Sequence, residues 1–551
     1  MPEAILPGTY IEVRAEGLIS PGRVVTGNIG IVGTASKGPV NEVKILGSFS
    51  EAKEIFGDSS TNSTVTLSRA LEQIYNNGGR TVYAVRTAGQ SAEKAAYQTQ
   101  DASTNLVKLE AKTPGTWGNE IAIKVSAVHE PSFVTEELKG NVTNLKRSHV
   151  SENGLNRITV KQKSTDLTRR YDIVYDKDPD NAKLQVGINK TTGALTFSTQ
   201  DSAPGDDDTI IATYAVPADN SKKVELSYQT VKETYIIADA AHLQEQVNNT
   251  SKLVSASGSN DELFNKLPKD TDTKGERFGT GLHGNTAGAD GEKTSADDYK
   301  TSLDKLQNEI INIVVLAGQD ASDENIVTNL IGHLNTTANN KRERIAVIGS
   351  SSNDVDGIVS QIGNYDHERL IFTAPSIRAS APETPPRDYT ASAVAGLIAS
   401  LPVQASLTNK TLTIPGLSVE FTASELEKLV SNRVLAIEKR DGFRVVKGIT
   451  TSTNSAWHQI TTRRIVDYAI YGVRSACDPY IGKLNNERVR GAMKATLNAF
   501  LTRMVESESL VGYKLDVSAT RAQEIAGEVS VTMTLQPTFS IDFIQVTMYL
   551  S

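Results

Sequence analysis

The sequence predicts a multidomain protein of mixed α/β class that is interrupted by a β-rich inserted domain. Strands and helices alternate over residues 28–86 and again over residues 295–373, which indicates mixed, partly parallel sheets covered by helices. Between these regions, residues 103–235 lose helical periodicity and show short alternating runs, which are typical of a sandwich or barrel-like domain. The length of 551 residues also exceeds that of an ordinary single domain.

The predicted domains follow from where these patterns change. Residues 1–27 are rich in Gly and Pro around an alternating run at 9–13, and we interpret them as an arm that is able to become a strand. Four regions follow the arm: the first part of the α/β core (28–102), the β-rich insertion (103–256), the second part of the α/β core (257–415) and a C-terminal domain (416–551).

The C-terminal domain has the clearest helical periodicity in the chain. We expect helices over residues 423–432, 462–475 and 487–506, and two closing strands over 529–536 and 541–550. The third helix carries an apolar stripe that is expected to face the core. Its basic residues form a separate set: Arg488, Arg490, Lys494 and Arg503.

Composition excludes several classes of partner. The net charge of −8 opposes nonspecific attachment to nucleic acid, because such binding depends on Lys and Arg neutralising phosphates. Cys477 is the only cysteine, so no intrachain disulfide can form, and a reducing compartment fits. The first residues do not resemble a signal peptide, and no run approaches the ~20 apolar residues of a membrane span. We therefore expect neither nucleic acid binding nor membrane insertion.

No catalytic constellation is evident. The seven histidines have no metal-ligand spacing, and there is no phosphate-binding loop of the Gly-x-x-x-x-Gly-Lys type and no nucleophile elbow. The glycine and serines at 349–352 follow a strand, but they lack the glycine spacing of a dinucleotide site and are interpreted as a plain turn. We therefore predict no enzyme activity, no cofactor and no metal.

Two weaker candidates for chemistry have simpler interpretations. Acidic residues at 290–298 could suggest a calcium loop, but their spacing does not match one, and Ser295 with the following acidic pair favours a helix N-terminus. Cys477 could act as a nucleophile with His458, although a lone thiol after a helix is more typical of packing.

Several motifs, in order along the chain, resemble those of the contractile tail sheath family. The first four are PGTYIEV at 7–13, IVGTASKGPVN at 31–41, SF to FG at 48–57 and NGGRTVYAVR at 77–86. The likeness continues with PGTWGN at 114–119 and a loop at 288–299, in which Ala289 stands where the family usually has a second glycine. It extends to the helix around 488–503 and the strand-rich tail, and is weakest over residues 130–230.

The resemblance implies a structural role. Subunits of this family stack as six-membered rings around a tail tube, and contraction of the stack drives the tube through the host envelope for genome delivery. The implied partners are other copies of the chain, the tail tube protein, and the baseplate and tail terminator proteins. The implied location is the tail sheath of a virion that assembles in the host cytoplasm, with the insertion on the outer surface.

The resemblance also implies two sets of contact residues. Terminal strands are expected to add to the sheets of neighbouring subunits, and basic residues of the helix at 487–506 are expected to face the tube. The strand contacts are Tyr10, Ile11, Glu12, Val13, Ile541, Phe543 and Val546. The tube contacts are Arg488, Arg490, Lys494 and Arg503.

Three alternatives remain open at this point. A tail-derived bacteriocin or injection system would use a similar sheath, and neighbouring capsid, portal and terminase genes would distinguish a phage. A nucleotide-dependent enzyme is compatible with the α/β core but lacks a phosphate loop. An adhesin or carbohydrate-binding spike could use the β-rich insertion, and glycan binding by the isolated insertion would support it.

Overall fold

The computed structural model describes residues 25–58, 65–102, 104–163, 166–198, 203–258, 263–280, 285–363, 365–378 and 389–550. The expected arm strand at residues 10–13 lies outside these ranges. The chain divides into two compact units, one formed by the residues up to Gly89 together with Lys293 onwards, and the other by Gln90–Glu292. We call them the α/β unit and the β-rich unit.

Strands and helices are numbered in chain order. The strands are β1 (Ile29–Thr34), β2 (Val43–Leu46), β3 (Val82–Thr87), β4 (Ala92–Glu93), β5 (Ala96–Asp101), β6 (Thr104–Ala111), β7 (Ala122–Ala127), β8 (Ser132–Lys139), β9 (Arg157–Lys161), β10 (Thr168–Tyr175), β11 (Gln185–Ile188), β12 (Leu195–Phe197), β13 (Thr209–Val216), β14 (Lys222–Tyr228), β15 (Val231–Ile237), β16 (Val254–Ser257), β17 (Glu276–Arg277), β18 (Ala289–Asp290), β19 (Ile313–Asp320), β20 (Ile345–Gly349), β21 (Leu370–Ala374), β22 (Thr411–Leu412), β23 (Leu435–Lys439), β24 (Phe443–Val445), β25 (Leu510–Ser518) and β26 (Ser530–Pro537). The helices are α1 (Phe49–Phe56), α2 (Leu67–Asn76), α3 (Ala240–Thr250), α4 (Ala296–Lys305), α5 (Glu324–Asn339), α6 (Val355–Ile362), α7 (Thr390–Ser400), α8 (Ala423–Ser431), α9 (Ile460–Cys477), α10 (Glu487–Glu506) and α11 (Arg521–Ala526).

A nine-stranded sheet forms the centre of the α/β unit. Its strand order is β2-β3-β1-β19-β20-β21-β23-β24-β22, and the six strands from β3 to β23 in this order run parallel. Successive residues of a strand point to opposite faces, so Ile31 packs with α2 and α7 on one face, whereas Val32 packs with α4, α5 and α6 on the other. The predicted α/β class is thereby confirmed.

The motif residues of this unit mostly hold its loops in place. Ser48 caps the N-terminus of α1, and the Phe56 ring at its other end is fully buried. The guanidinium of Arg86, also fully buried, donates to the Gly38 carbonyl at 2.7 Å. The side chain of Asn77 accepts from the Thr413 amide at 2.8 Å. These residues are therefore explained by folding of the scaffold.

In its described residues, the β-rich unit contains four sheets and two apolar clusters. A six-stranded sheet, β12-β11-β10-β9-β13-β8, covers one cluster. The sheets β15-β14-β7-β17 and β16-β6-β5 share the other cluster with α3. The unit reaches beyond the predicted limits 103–256 because β5 pairs with β6 and β17 pairs with β7. Residues 90–102 and 257–292 thus lie in this unit rather than in the α/β parts.

Two of the family-like motifs meet within the β-rich unit. The Thr116 amide and hydroxyl both donate to the Asp290 carboxylate at 2.9 Å. The Asn119 side chain exchanges two hydrogen bonds with Gly288, at 2.7 and 2.9 Å. A Cβ on Gly288 would lie 2.3 Å from the carbonyl oxygen of Gly115, so glycine is needed there. Ala289 begins β18, which pairs with β4.

Observed and predicted elements differ mainly at the C-terminus. The helix predicted over 487–506 is observed as α10, and the strand predicted over 529–536 is β26, shifted by one residue. The strand expected over 541–550 is not formed within the described chain. A single strand has no partner for its backbone N–H and C=O groups, so this segment lacks regular structure in the isolated chain. The helix N-terminus expected at Ser295 is confirmed, since Ser295 and Asp298 form a capping box.

Acid is expected to destabilise the α/β unit through His333. This side chain is buried in α5, and burial together with the charge of Arg344, whose Nη1 lies 3.2 Å from the imidazole Nε2, lowers the pKa of His333 to about 3. As pH falls, the His333 imidazole of the unfolded chain therefore takes up a proton at a higher pH than that of the folded chain. The stability contribution is fully present above about pH 6.5 and is lost as pH falls toward 3, by about 2 kcal/mol between pH 7 and pH 5.

The measurement is urea unfolding at pH 7 and pH 5, followed by the fluorescence of Trp457. Replacing Trp117 with Phe leaves Trp457 as the single tryptophan reporter. His333→Gln in this background should reduce the loss of stability between the two pH values by about 2 kcal/mol. An unchanged loss would contradict the assignment.

Candidate assembly surface

The C-terminal part of the α/β unit carries a separate two-stranded sheet. Strands β25 and β26 pair antiparallel from Leu510↔Pro537 to Ser518↔Ser530. The connection between them is held by α11, where Thr520 and Gln523 form a capping box and Gly527 adopts a left-handed φ of 75°. Among the described residues, neither strand pairs with any other strand. Both edges of this hairpin therefore offer unpaired backbone groups.

One face of the hairpin is apolar and only partly covered. Tyr513, Leu515 and Leu535 pack against a cluster that includes Ile465 of α9 and Leu501 of α10. These three hairpin side chains remain half-buried, whereas the cluster residues beneath them are buried. A further strand along either edge would extend this apolar face, so the hairpin is suited to receive a strand with apolar residues on one side.

The C-terminal segment has this pattern. Ile541, Phe543 and Val546 are 80%, 80% and 73% exposed. From residue 544 onward, Ile544, Val546, Met548 and Leu550 alternate with other side chains and would share one face of a strand. Large apolar side chains that remain in contact with water on a folded chain indicate a contact surface for a partner.

The four basic residues of α10 do not share one environment. Arg490 forms an ion pair within its own subunit, since its guanidinium donates to Glu524 of α11 at 2.9 Å. Lys494 lies 3.3 Å from Asp516 of β25. Arg488 and Arg503 are exposed, and Arg503 Nε donates to a carbonyl of its own helix at 3.2 Å. Arg488 and Arg503 are therefore the more accessible pair.

A groove of about 280 Å³ lies beside the N-terminal end of α10. Its lining includes Ile481 and Leu484, from the connection between α9 and α10, together with Val489. Ile481 and Leu484 are about four-fifths exposed (80% and 78%). Arg488 precedes Val489 in the helix, so a basic side chain and an apolar patch occur at the same end of α10.

Helix α9 supports the hairpin and is fastened to the nine-stranded sheet by charged side chains. The nearly buried carboxylate of Asp467 accepts two hydrogen bonds from Arg369, at 2.8 and 3.0 Å, and one from Arg463, at 2.8 Å. Arg463 also donates to Glu368 at 2.7 Å, and its guanidinium lies 4.4 Å from the ring centre of Trp457. Paired charges of this kind hold two elements in one relative position.

A second ion pair fastens the end of the same helix. Arg474 donates to both carboxylate oxygens of Glu343, at 2.6 Å for one of them. Burial favours the neutral form of this carboxyl, but the hydrogen bonds from Arg474 outweigh it and hold the pKa of Glu343 below its ordinary value. Sequence patterns did not reveal either cluster, because Arg369 with Asp467 and Glu343 with Arg474 are pairs separated by 98 and 131 positions.

The described residues offer no evident reactive site. They contain no group of three or more His, Cys, Asp or Glu side chains that could hold a metal ion. Burial and the neighbouring Asp478 raise the pKa of the Cys477 thiol, which disfavours the reactive thiolate. Within the same ranges, every helix is too short or too polar to cross a membrane.

Two family models match the chain from residue 292 onward. The model of the phage tail sheath protein central domain matches residues 292–451, and that of the phage tail sheath C-terminal domain matches residues 452–551. Residues 292–551 are thus similar to the central and C-terminal domains of the phage tail sheath family. The hairpin, α9, α10 and the exposed C-terminal segment all lie in the sheath C-terminal domain.

Solved sheath proteins share the fold at low sequence identity. The sheath tail protein of Desulfitobacterium hafniense is 13% identical, with a TM-score of 0.56 over 96% of this chain and 100% of that chain. The sheath tail protein Lin1278 of Listeria innocua is 14% identical, with a TM-score of 0.56 over 93% of this chain and 95% of that chain. No curated protein sequence matches the chain.

Proposed function

We propose that this sheath-family chain is the structural subunit of a contractile phage tail sheath, and that it polymerises by exchanging terminal strands between copies. The observation that carries this proposal is the hairpin β25–β26, which has two open edges and a partly covered apolar face beside an exposed, alternating C-terminal segment. A strand added to such an edge gains backbone hydrogen bonds and covers its apolar side chains.

The free energies favour an intersubunit contact that is weak for one arm and strong when many arms act together in a lattice. Ordering eight residues costs about 8–16 kcal/mol of backbone entropy. Eight hydrogen bonds return about 4–12 kcal/mol, and burying four aliphatic side chains returns about 6–12 kcal/mol. At the midpoints of these ranges one arm gains about 5 kcal/mol, so assembly depends on many arms acting together.

The second edge of the hairpin has a candidate occupant at the other end of the chain. The run at residues 9–13 alternates Tyr10, Ile11, Glu12 and Val13, which is typical of a strand. Two different arms on two edges would link each subunit to more than one neighbour. Stacked six-membered rings are a lattice with this connectivity.

Contraction in this proposal is a rearrangement of rigid subunits about flexible arms. The ion pairs of α9 with Arg369 and Glu343 would keep the C-terminal domain and the nine-stranded sheet together while the arms turn. Arg488 and Arg503 would contact the tail tube. Such contacts suit an interface that must break during contraction, because exposed ion pairs contribute only about 0–1 kcal/mol each. No nucleotide is needed, which agrees with the absence of a phosphate loop in the sequence.

We also propose where the sheath is located and which proteins it contacts at its two ends. The sheath would assemble in the host cytoplasm, attach to a baseplate at one end and a tail terminator at the other, and become part of the virion. The β-rich unit would lie on the outer surface, away from the tube. A non-enzymatic role follows from the structural nature of the family.

The direct test is negative-stain electron microscopy of the purified protein over a range of concentrations. We expect long hollow cylinders with a ring repeat, in the contracted form when no tube is supplied. A chain that remains monomeric at high concentration, across low and high salt, would overturn the proposal.

A further inference from the structure

The C-terminal segment is attached to the body of the subunit around Asp542, its most buried side chain. Asp542 is partly buried, with a side chain that is 11% exposed, whereas Ile541 before it and Phe543 after it are 80% exposed. From residue 543 to residue 550 every side chain is exposed. The segment therefore contacts the body around Asp542, and its side chains stay exposed from Phe543 onward.

The Asp542 carboxylate is surrounded by four donor side chains of the α/β unit. Oδ1 accepts from the Ser540 hydroxyl at 3.0 Å and from the Thr408 hydroxyl at 3.4 Å. Oδ2 accepts from the Gln459 side chain at 3.3 Å and lies 3.8 Å from Lys447 Nζ. Gln459 immediately precedes α9, so these contacts lie close to the N-terminus of the helix that supports the hairpin.

Neighbouring contacts strengthen this attachment. The Gln459 side-chain oxygen accepts from the Ser540 amide at 3.4 Å. Lys447 Nζ lies 5.2 Å from the ring centre of Phe543, close enough for a cation–π interaction. Phe543 and Asp542 also line a groove of about 550 Å³ with the apolar side chains of Leu426, Val430 and Val446.

We propose that Asp542 is a positioning residue that fixes where the exchangeable arm begins, and that the arm is residues 543–550, which pair with a second copy of this chain. This inference rests on the proposed function. Eight residues span about 26 Å when extended. A neighbour's hairpin must then lie within that distance of Asp542, so the anchor sets a limit on the spacing between linked subunits.

Loss of the anchor lengthens the free segment. The Asp542 carboxylate also orients Gln459, whose side chain holds the Ser540 amide, so loss of Asp542 releases both contacts. The next fixed point is then Thr538, whose amide donates to the Ser509 carbonyl at 3.2 Å. A label at residue 545 would then be separated from its fixed point by seven residues instead of three. The spread of its position grows with the square root of this number, by about 1.5-fold.

The experiment measures this spread in the monomer. Spin labels on Glu324→Cys and Gln545→Cys, in a Cys477→Ser background, report a distance distribution by pulsed electron resonance. We expect the distribution to be about 1.5-fold broader with Asp542→Ala. Asp542→Asn keeps the acceptor oxygen for Ser540 and Thr408 and should restore part of the narrow distribution. Asp356→Ala, which removes an exposed ion pair with Lys428, is the matched control and should change nothing.

Assembly is measured separately on the unlabelled proteins. We expect Asp542→Ala to form cylinders whose ring spacing, measured by electron microscopy, is more variable than in the parent. Equal distribution widths for Asp542→Ala and the parent would overturn the anchor. If the widths differ but the parent forms no cylinders, the anchor stands and the proposed sheath function fails, so the two outcomes are distinguishable.

Discussion

We expect removal of residues 543–550 to abolish cylinder formation while the monomer stays folded. This is the largest effect that we expect on assembly, because the deletion removes a whole intersubunit strand and every hydrogen bond it would make. The removed residues are exposed, so they contribute little to the core of their own subunit. Electron microscopy measures the cylinders, and circular dichroism with thermal unfolding measures the fold.

Point substitutions on the two faces of the arm provide a matched comparison. Val546→Asp places a charge on the aliphatic face that would cover the hairpin, and it should prevent assembly almost as completely as the deletion. Gln545→Asp introduces the same charge on the opposite face and should be tolerated. Equal behaviour of the two variants, or normal cylinders from the truncated chain, would contradict strand exchange by this arm.

Replacing Asp467 with Ala lowers the stability of the α/β unit by about 3–5 kcal/mol, because it leaves two buried guanidinium groups without their shared carboxylate. Arg369 and Arg463 both donate to Asp467, and Arg463 keeps its contact with Glu368 after the substitution. The measurement is the free energy of unfolding in urea at pH 7, followed by Trp457 in the Trp117→Phe background.

The control for this substitution is an ion pair of similar distance on the surface. Glu420 lies 2.7 Å from Lys439, and both side chains are more than half exposed. Glu420→Ala should therefore change the free energy of unfolding by less than about 1 kcal/mol. A comparable effect of the two substitutions would show that the Asp467 cluster does not hold α9 to the sheet.

Much of the fold was predictable because its signals are local. The alternation of apolar runs identified strands such as β1 and β3, and the 3.6-residue period predicted the limits of α10. The limits of the β-rich unit were less accessible, because they depend on pairing between distant segments, such as β7 with β17. Helix α3 was not predicted, since its apolar residues are few within a polar run.

The candidate surface was predictable in part, for a related reason. An exposed strand and a partnered strand have the same sequence pattern, so the pattern at 541–550 predicted a strand but could not indicate which chain completes it. Charge patterns have the same ambiguity. Arg490 and Arg488 are two residues apart in the sequence, yet one forms an ion pair with Glu524 and the other is exposed. The anchor at Asp542 depends on contacts with Thr408 and Gln459, which no local pattern reveals.

The most direct test of strand exchange is a cryo-electron microscopy map of the assembled cylinder at a resolution that traces the backbone. Our account predicts that hairpin β25–β26 carries at least one added strand along an edge, and that this strand traces to residues 543–550 of another subunit. A map in which the hairpin remains two-stranded, and in which subunits touch only through their compact units, would contradict it.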